Sequence, residues 1–302
     1  MLSFFFAAVL SLGSRSHDVV KSAQPFDAAA LTWSGNANVR IRVGGQWISP
    51  AIDDDIPERH ATAITHFPLT SALEYEFDRA VSDVTVTLFP LGGLKPAATQ
   101  GSIVSRIDWG CPDGEAAPMW PPAYTVVTHA VVHHTAGAND LTNWAAEVRN
   151  IWYFHTFTNG WGDIGYNYLI DPNGVIYEGR AGSNGAIGAH FSCRNTNTVG
   201  IALLGTYSNV PPTDAALATL KKLLADVCRQ NAIDPTAVLY HPPSQLILST
   251  ILGHRDGNPS TQTCTRTECP GDVLYSMLPI IRSDVAALIN VPAPTRRRAV
   301  RQ

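Results

Sequence analysis

The chain has 302 residues, enough for one large or two modest domains. Its 45% hydrophobic and 15% charged content excludes a disordered polymer, and a formal net charge of -4 gives no footing for a nucleic-acid binder. Residues 1–16 open with Leu2-Ser3-Phe4-Phe5-Phe6-Ala7-Ala8-Val9-Leu10. This run is too short to span a bilayer as a helix and is similar to the apolar region of a secretory signal, with Ser11, Gly13 and Ser14 behind it and no basic residue before it. The alternative is an ordinary buried N-terminal segment. No later run suits a transmembrane helix.

Residues 24–95 read as a small all-β, sandwich-like accessory domain. Val39-Arg40-Ile41-Arg42-Val43, Leu73-Glu74-Tyr75-Glu76-Phe77 and Val84-Thr85-Val86-Thr87-Leu88-Phe89 alternate with the period of half-buried strands, and Gly44-Gly45, Asp53-Asp54-Asp55, Ser82-Asp83 and Gly92-Gly93 punctuate them. Trp33 and Trp47 suit either a core or a sugar-stacking surface. Residues 96–102 read as a linker. From residue 103 strands and helices alternate, which predicts an α/β domain over 103–290. A buried strand is expected over 124–133, then a helix over 142–156 with Trp144, Val148, Ile151, Trp152 and His155 on one face. Strands follow at 166–170, at 175–178 after the turn Asp171-Pro172-Asn173-Gly174, and at 199–204; helices follow at 214–230 and 275–289. Residues 291–302, with Arg296, Arg297, Arg298 and Arg301, read as a flexible, solvated basic tail.

Two distant segments carry the candidate chemistry. Val131-Val132-His133-His134-Thr135 is a strand delivering histidines at its end, and Gly253-His254-Arg255-Asp256 runs on to Thr267-Glu268-Cys269-Pro270-Gly271. Two neutral imidazoles and one thiolate suit a tetrahedral Zn²⁺ whose fourth position is open to water. Such a donor set leaves a net charge of about +1 on the complex, which polarises a carbonyl and acidifies water. Five cysteines are present: Cys111, Cys193, Cys228, Cys264 and Cys269. With one spent on zinc, four remain for two disulfides in an oxidising compartment, in any of three pairings, or as buried free thiols. The leader and this count together point to export, to an extracellular or periplasmic site.

Residues from 103 to about 288 resemble the superfamily of peptidoglycan recognition proteins and zinc-dependent N-acetylmuramoyl-L-alanine amidases. The resemblance is carried by Ser105-Arg106-Ile107-Asp108-Trp109-Gly110, the His133-His134-Thr135 stretch, Gly160-Trp161-Gly162-Asp163-Ile164-Gly165-Tyr166-Asn167, Tyr177-Glu178-Gly179-Arg180, Gly188-Ala189-His190, Val199-Gly200-Ile201 and the two segments around His254 and Cys269. It implies a mixed central β-sheet flanked by helices, with zinc in a groove held by His133, His254 and Cys269. It implies that Tyr166 is needed for amidase activity, that Thr267 lies over the metal and assists, and that His134 neighbours the groove. Gly160-Trp161 with Arg180 implies stem peptides containing meso-diaminopimelate, because a guanidinium pairs with the extra carboxylate that lysine lacks; a structural role in the hairpin is the alternative for Arg180. His155, His190 and Asn195 are expected as further substrate contacts, with a core role equally open for His155. The connection from His254 to Cys269 is longer than the family usually shows, and Cys264 within it is an alternative ligand. The expected protein is a monomeric, secreted zinc amidase acting on peptidoglycan, with a non-catalytic peptidoglycan-binding protein or a structural zinc domain as alternatives.

Overall fold

The computed structural model describes residues 7–53, 59–90, 96–115, 119–192, 194–260 and 266–290. Eight antiparallel strands form the N-terminal sheet: β1 (Ala8–Gly13), β2 (His17–Ser34), β3 (Val39–Val43), β4 (Gln46–Ile48), β5 (Ile52–Asp53), β6 (His60–Thr62), β7 (Thr65–Phe77) and β8 (Ser82–Phe89). Their order is β1-β8-β2-β7-β3-β4, with β6 pairing β2 and β5 pairing β6. The all-β region therefore starts at Ala8, not at residue 24. The apolar opening supplies the edge strand β1, whose Ala8, Leu10 and Leu12 pack on the sheet's own core. Alternation, which an apolar run conceals when both of its faces carry apolar residues, is what decides this strand. Residues 1–6 and 291–302 lie outside the described residues.

The long strand β2 is buried without a break from Ala28 to Trp33 because both of its faces are covered. Ala29, Leu31 and Trp33 point into the sheet's own core, while Ala28 and Ala30 point into a core shared with the rest of the chain. Trp33 is 1% exposed and stacks on the His60 ring, so it is a core residue. Trp47 stays on the surface under the Arg40 guanidinium, 4.3 Å from the ring centroid.

The second region is built on a six-stranded mixed sheet ordered β16-β10-β13-β11-β12-β9. Its strands are β9 (Ile103–Val104), β10 (His129–His134), β11 (Tyr168–Ile170), β12 (Ile176–Glu178), β13 (Thr198–Leu203) and β16 (Ile251–Gly253); only the β11–β12 pair is antiparallel. Between β13 and β16 lies a small hairpin, β14 (Val238–His241) with β15 (Leu246–Ser249), which the sequence pattern had not predicted. Three helices flank the sheet: α1 (Trp144–Tyr153), α2 (Asp214–Asn231) and α3 (Asp272–Asn290). Asn143 and Thr213 cap α1 and α2 by accepting from the backbone N–H groups of Ala146 and Ala216.

Side-chain alternation along β10 sorts the two faces. Ala130 and Val132 pack with Leu217, Leu220, Leu224, Leu278 and Ile281 of α2 and α3. The opposite face of the sheet, with Leu169, Tyr177 and Ala202, packs on Val148, Ile151 and Trp152 of α1 and on Ala28, Ala30, Ala61, Ile64 and Phe89 of the N-terminal sheet. The two sheets thus both pack on α1. His66 of β7 reaches Glu147 of α1 at 2.9 Å across this boundary.

Candidate metal centre

The site sits at the carboxyl ends of β10 and β16, where parallel strands leave a crevice. Register makes it: Val132 lies beside Gly253, so His133 and His254 emerge as neighbours, with ring centroids 4.7 Å apart. His133 shares the parity of Val131 and not of Val132, so it points away from α2 and α3. Cys269 arrives just before α3. Arg255 N–H donates to its carbonyl at 2.9 Å, and its own N–H donates to Thr267 Oγ1 at 3.0 Å. The ligand atoms of His133, His254 and Cys269 all lie within 4.8 Å of one another, and all three residues are buried. Cys269 Sγ is 3.6 Å from His133 Nδ1. Cys264, the competing thiol, lies outside the described residues.

His133 is fully enclosed, and its imidazole is held well below its ordinary pKa, first by burial and then by the facing rings of His254, His190 and His134. It is therefore neutral, the form a metal takes up. With Nδ1 turned to Cys269, His133 Nε2 is 3.0 Å from His190 Nδ1, His190 Nε2 is 3.2 Å from Thr198 Oγ1, and that hydroxyl donates to the Asn195 carbonyl. This chain fixes one tautomer: His133 Nε2–H donates to His190, and His190 Nε2–H donates to Thr198. Buried imidazoles that serve metals are held by such a second hydrogen bond. A Cβ on Gly200 would come 2.4 Å from the His190 ring, and one on Gly188 would do the same. Those glycines clear the space in which the ring is held.

Tyr166 is 4% exposed, its ring 5.2 Å from that of His133. With His134, Thr267 and Cys269 it lines a cavity of about 130 Å³ beside the cluster. His134 Nδ1 accepts from Tyr207 N–H at 3.2 Å. His155 is buried, accepts from Gly165 N–H at 3.0 Å and packs between Trp161 and Tyr166, where it lines a second, smaller cavity.

The other expected substrate contacts lie outside these two cavities. His190 and Asn195 do not face the groove: His190 stands behind His133, and Asn195 Oδ1 accepts from the N–H groups of His190 and Phe191, bracing the loop. A glycine-rich loop says nothing of which way its side chains turn. Gly160 and Trp161 line neither cavity. Arg180 is 2% exposed, with its guanidinium 4.2 Å over the Trp120 ring; Nε donates to the Ile164 carbonyl, and Nη2 has no hydrogen-bond partner. Burial pushes its pKa down to about 10. Asp163, within the Gly-Trp-Gly-Asp motif, is wholly buried and structural, accepting from Arg106, Ile164 N–H and Ala181 N–H. Among the described residues Cys111 and Cys228 are free, buried thiols; Cys193, like Cys264, lies outside the described residues. Among the described residues no helix is long and apolar enough to cross a membrane.

A family model described as N-acetylmuramoyl-L-alanine amidase matches residues 123–272. Peptidoglycan-recognition protein SC2 of Drosophila simulans is 33% identical over 177 residues, covering 58% of this chain and 83% of that protein. Peptidoglycan recognition protein 1 of Bos taurus is 31% identical over 203 residues, covering 66% of this chain and 94% of its own length. An N-acetylmuramoyl-L-alanine amidase of Homo sapiens is 36% identical over 152 residues, which are 49% of this chain and 23% of that protein.

Proposed function

Because the chain belongs to the superfamily of peptidoglycan recognition proteins and N-acetylmuramoyl-L-alanine amidases, we propose that it is a zinc-dependent amidase cutting the bond between N-acetylmuramic acid and L-alanine. The observation that carries this reading is the cluster of His133, His254 and Cys269 with Tyr166 and a cavity against it. The donor set fits zinc: two imidazoles and a sulfur at metal-ligand spacing, with a cavity beside them and, among the described residues, no fourth ligand in the cluster. Held by His133, His254 and Cys269, zinc would supply Lewis-acid charge for a carbonyl and would acidify water.

The chain's own groups do the rest. His190 and Thr198 hold His133 in the tautomer that turns Nδ1 toward Cys269. Thr267 fixes Cys269 through its N–H and shares the cavity wall. Tyr166 donates its phenol proton toward the oxyanion that develops on the carbonyl, where a buried donor acts most strongly. Arg180 supports a preference for diaminopimelate stems: a buried guanidinium with an open Nη2 is suited to a ligand carboxylate. Its place under Trp120 implies that this ring shifts when the stem binds. The substrate puts the site of action outside the cytoplasm.

The test is release of stem peptides from purified muropeptides by zinc-loaded protein, followed by mass. Cleavage abolished by chelator and restored by Zn²⁺ supports the reading. Tight binding without cleavage in the zinc-loaded state replaces it with that of a peptidoglycan receptor.

A further inference from the structure

We propose that Ser208 is a substrate-binding residue whose hydroxyl hydrogen-bonds an amide of the stem peptide beside the scissile bond. The identity of the substrate rests on the amidase reading; the placement of Ser208 does not. Ser208 lines the cavity that Tyr166, Thr267 and Cys269 also line, and residues 51–53 of the N-terminal region border the same space. It follows β13, the strand that lies beside β10 with its terminal His133 and His134.

The loop that presents Ser208 is braced from several sides. Thr206 N–H donates to Asn139 Oδ1 at 2.6 Å, and Asn139 Nδ2 donates to the Thr206 carbonyl at 2.9 Å. Tyr207 N–H donates to His134 Nδ1 at 3.2 Å, and the Tyr207 carbonyl accepts from Leu274 N–H of α3 at 3.3 Å. A Cβ on Gly271 would come 2.5 Å from the Tyr207 carbonyl carbon and 2.6 Å from the Ser208 nitrogen, so the loop lies directly on the turn that carries Cys269. Tyr207 is buried with residues of α2 and α3. Side chains alternate along an extended chain, so Thr206 and Ser208 turn the opposite way, into the cavity that both line.

Besides the Tyr166 phenol, the serine and threonine hydroxyls on this cavity are those of Thr135, Thr206, Ser208 and Thr267. The threonines are already used within the protein. Thr206 Oγ1 donates to the Gly137 carbonyl at 2.8 Å, Thr135 Oγ1 accepts from Gly205 N–H at 3.0 Å, and Thr267 Oγ1 accepts from Cys269 N–H at 3.0 Å. Ser208 is half-buried, and its hydroxyl has no hydrogen-bond partner among the described residues. With no histidine or carboxylate bonded to it to take its proton, it is placed as a hydrogen-bond partner and not as a nucleophile. A hydroxyl both donates and accepts, which matches an amide with its C=O and N–H. Peptide amides are the groups of this kind nearest the bond that the site is proposed to cut. Because the loop is already fixed, little ordering entropy opposes the contact.

The experiment uses a soluble N-acetylmuramoyl tripeptide with the zinc-loaded full chain as wild type, Ser208→Ala and Ser208→Thr. Cleavage gives kcat and KM, and calorimetry in the Tyr166→Phe background, where turnover is slowed, gives Kd. Zinc affinity and Tm are measured for each variant. Ser208→Ala is expected to raise KM and Kd about fivefold, the scale of one neutral hydrogen bond. Zinc affinity and Tm should not move, because the hydroxyl bonds nothing inside the protein. Ser208→Thr, which keeps the hydroxyl, is expected to stay within about twofold of the wild type. A Ser208→Ala chain whose KM and Kd stay within about twofold of the wild type overturns the proposal. A rise that Ser208→Thr shares, or that a parallel loss of zinc affinity accounts for, overturns it as well, and so does failure of the wild type to bind the tripeptide. If Kd moves as expected yet no chain cleaves the ligand, the Ser208 contact stands and the amidase reading fails; if the wild type cleaves and Ser208→Ala matches it, the amidase reading stands and the contact fails.

Discussion

Replacing His190 by alanine is the sharpest probe of how the centre is held together. His190 makes no contact with the cavity; its ring connects His133 to Thr198 at 3.0 Å and 3.2 Å and is 2% exposed. Removing it leaves His133 Nε2–H buried without an acceptor, a loss of about 1–3 kcal/mol in stability. It also releases the ring whose Nδ1 faces Cys269. Loss of such an outer partner weakens metal binding by about 10–100-fold, equivalent to about 1.4–2.8 kcal/mol of binding energy. The assay is titration of purified apo-protein with Zn²⁺ against a competing chelator, with thermal melts run alongside. His190→Gln, whose amide oxygen can still accept from His133, should recover part of the affinity. Zinc affinity within about twofold of the wild type in a folded His190→Ala variant would refute the positioning argument.

Further outcomes follow from the same geometry. Cys269→Ser should lose bound zinc and activity while Cys264→Ser keeps both; a zinc-replete, active Cys269→Ser would move the ligand assignment elsewhere. Tyr166→Phe should keep zinc and fold but lower kcat by about 10²–10³, the scale of one oxyanion donor, and an unchanged kcat would remove Tyr166 from the chemistry. His66 sits between opposing influences: burial, the largest, disfavours its charged form, but the charge and hydrogen bond of Glu147, with Asp27 and Asp140, together outweigh it and raise its pKa. A raised histidine pKa stabilises the fold fully below the unfolded value and loses that contribution as pH rises through the folded value. His66→Gln should therefore lower Tm more at about pH 5.5 than at about pH 8, and an equal drop at both would show that the charged pair is not what fastens the two sheets.

The metal cluster was legible because its residues lie in short motifs whose local geometry is fixed by strand ends. His133 closes β10 and His254 follows β16, and adjacent parallel strands bring such ends together. The helices were legible from their period: Trp144, Val148, Ile151 and Trp152 are all buried, as their spacing required. What escaped depends on packing between segments far apart in the chain. His190 was noted for its motif, yet only the close approach of Gly188 and Gly200 shows that its ring turns toward His133. Strand β1 escaped because Val9 on its outward side is as apolar as Ala8, Leu10 and Leu12 on its inward side, which blurs the alternation. The hairpin of β14 and β15 carries exposed Val238, Tyr240 and Ile247, and strands with apolar residues on a solvent face defeat an amphipathic reading. Nothing in residues 51–53 announces that they border the groove of a different sheet.

The central claim, that this cluster is a working zinc amidase centre, is tested most directly by digestion of purified diaminopimelate-type walls with zinc-loaded protein, with and without chelator, and mass analysis of the soluble products. The account predicts free stem peptides beginning at L-alanine, absent under chelator and restored by Zn²⁺. Intact muramyl-peptide bonds after exhaustive digestion by folded, zinc-loaded protein would contradict it.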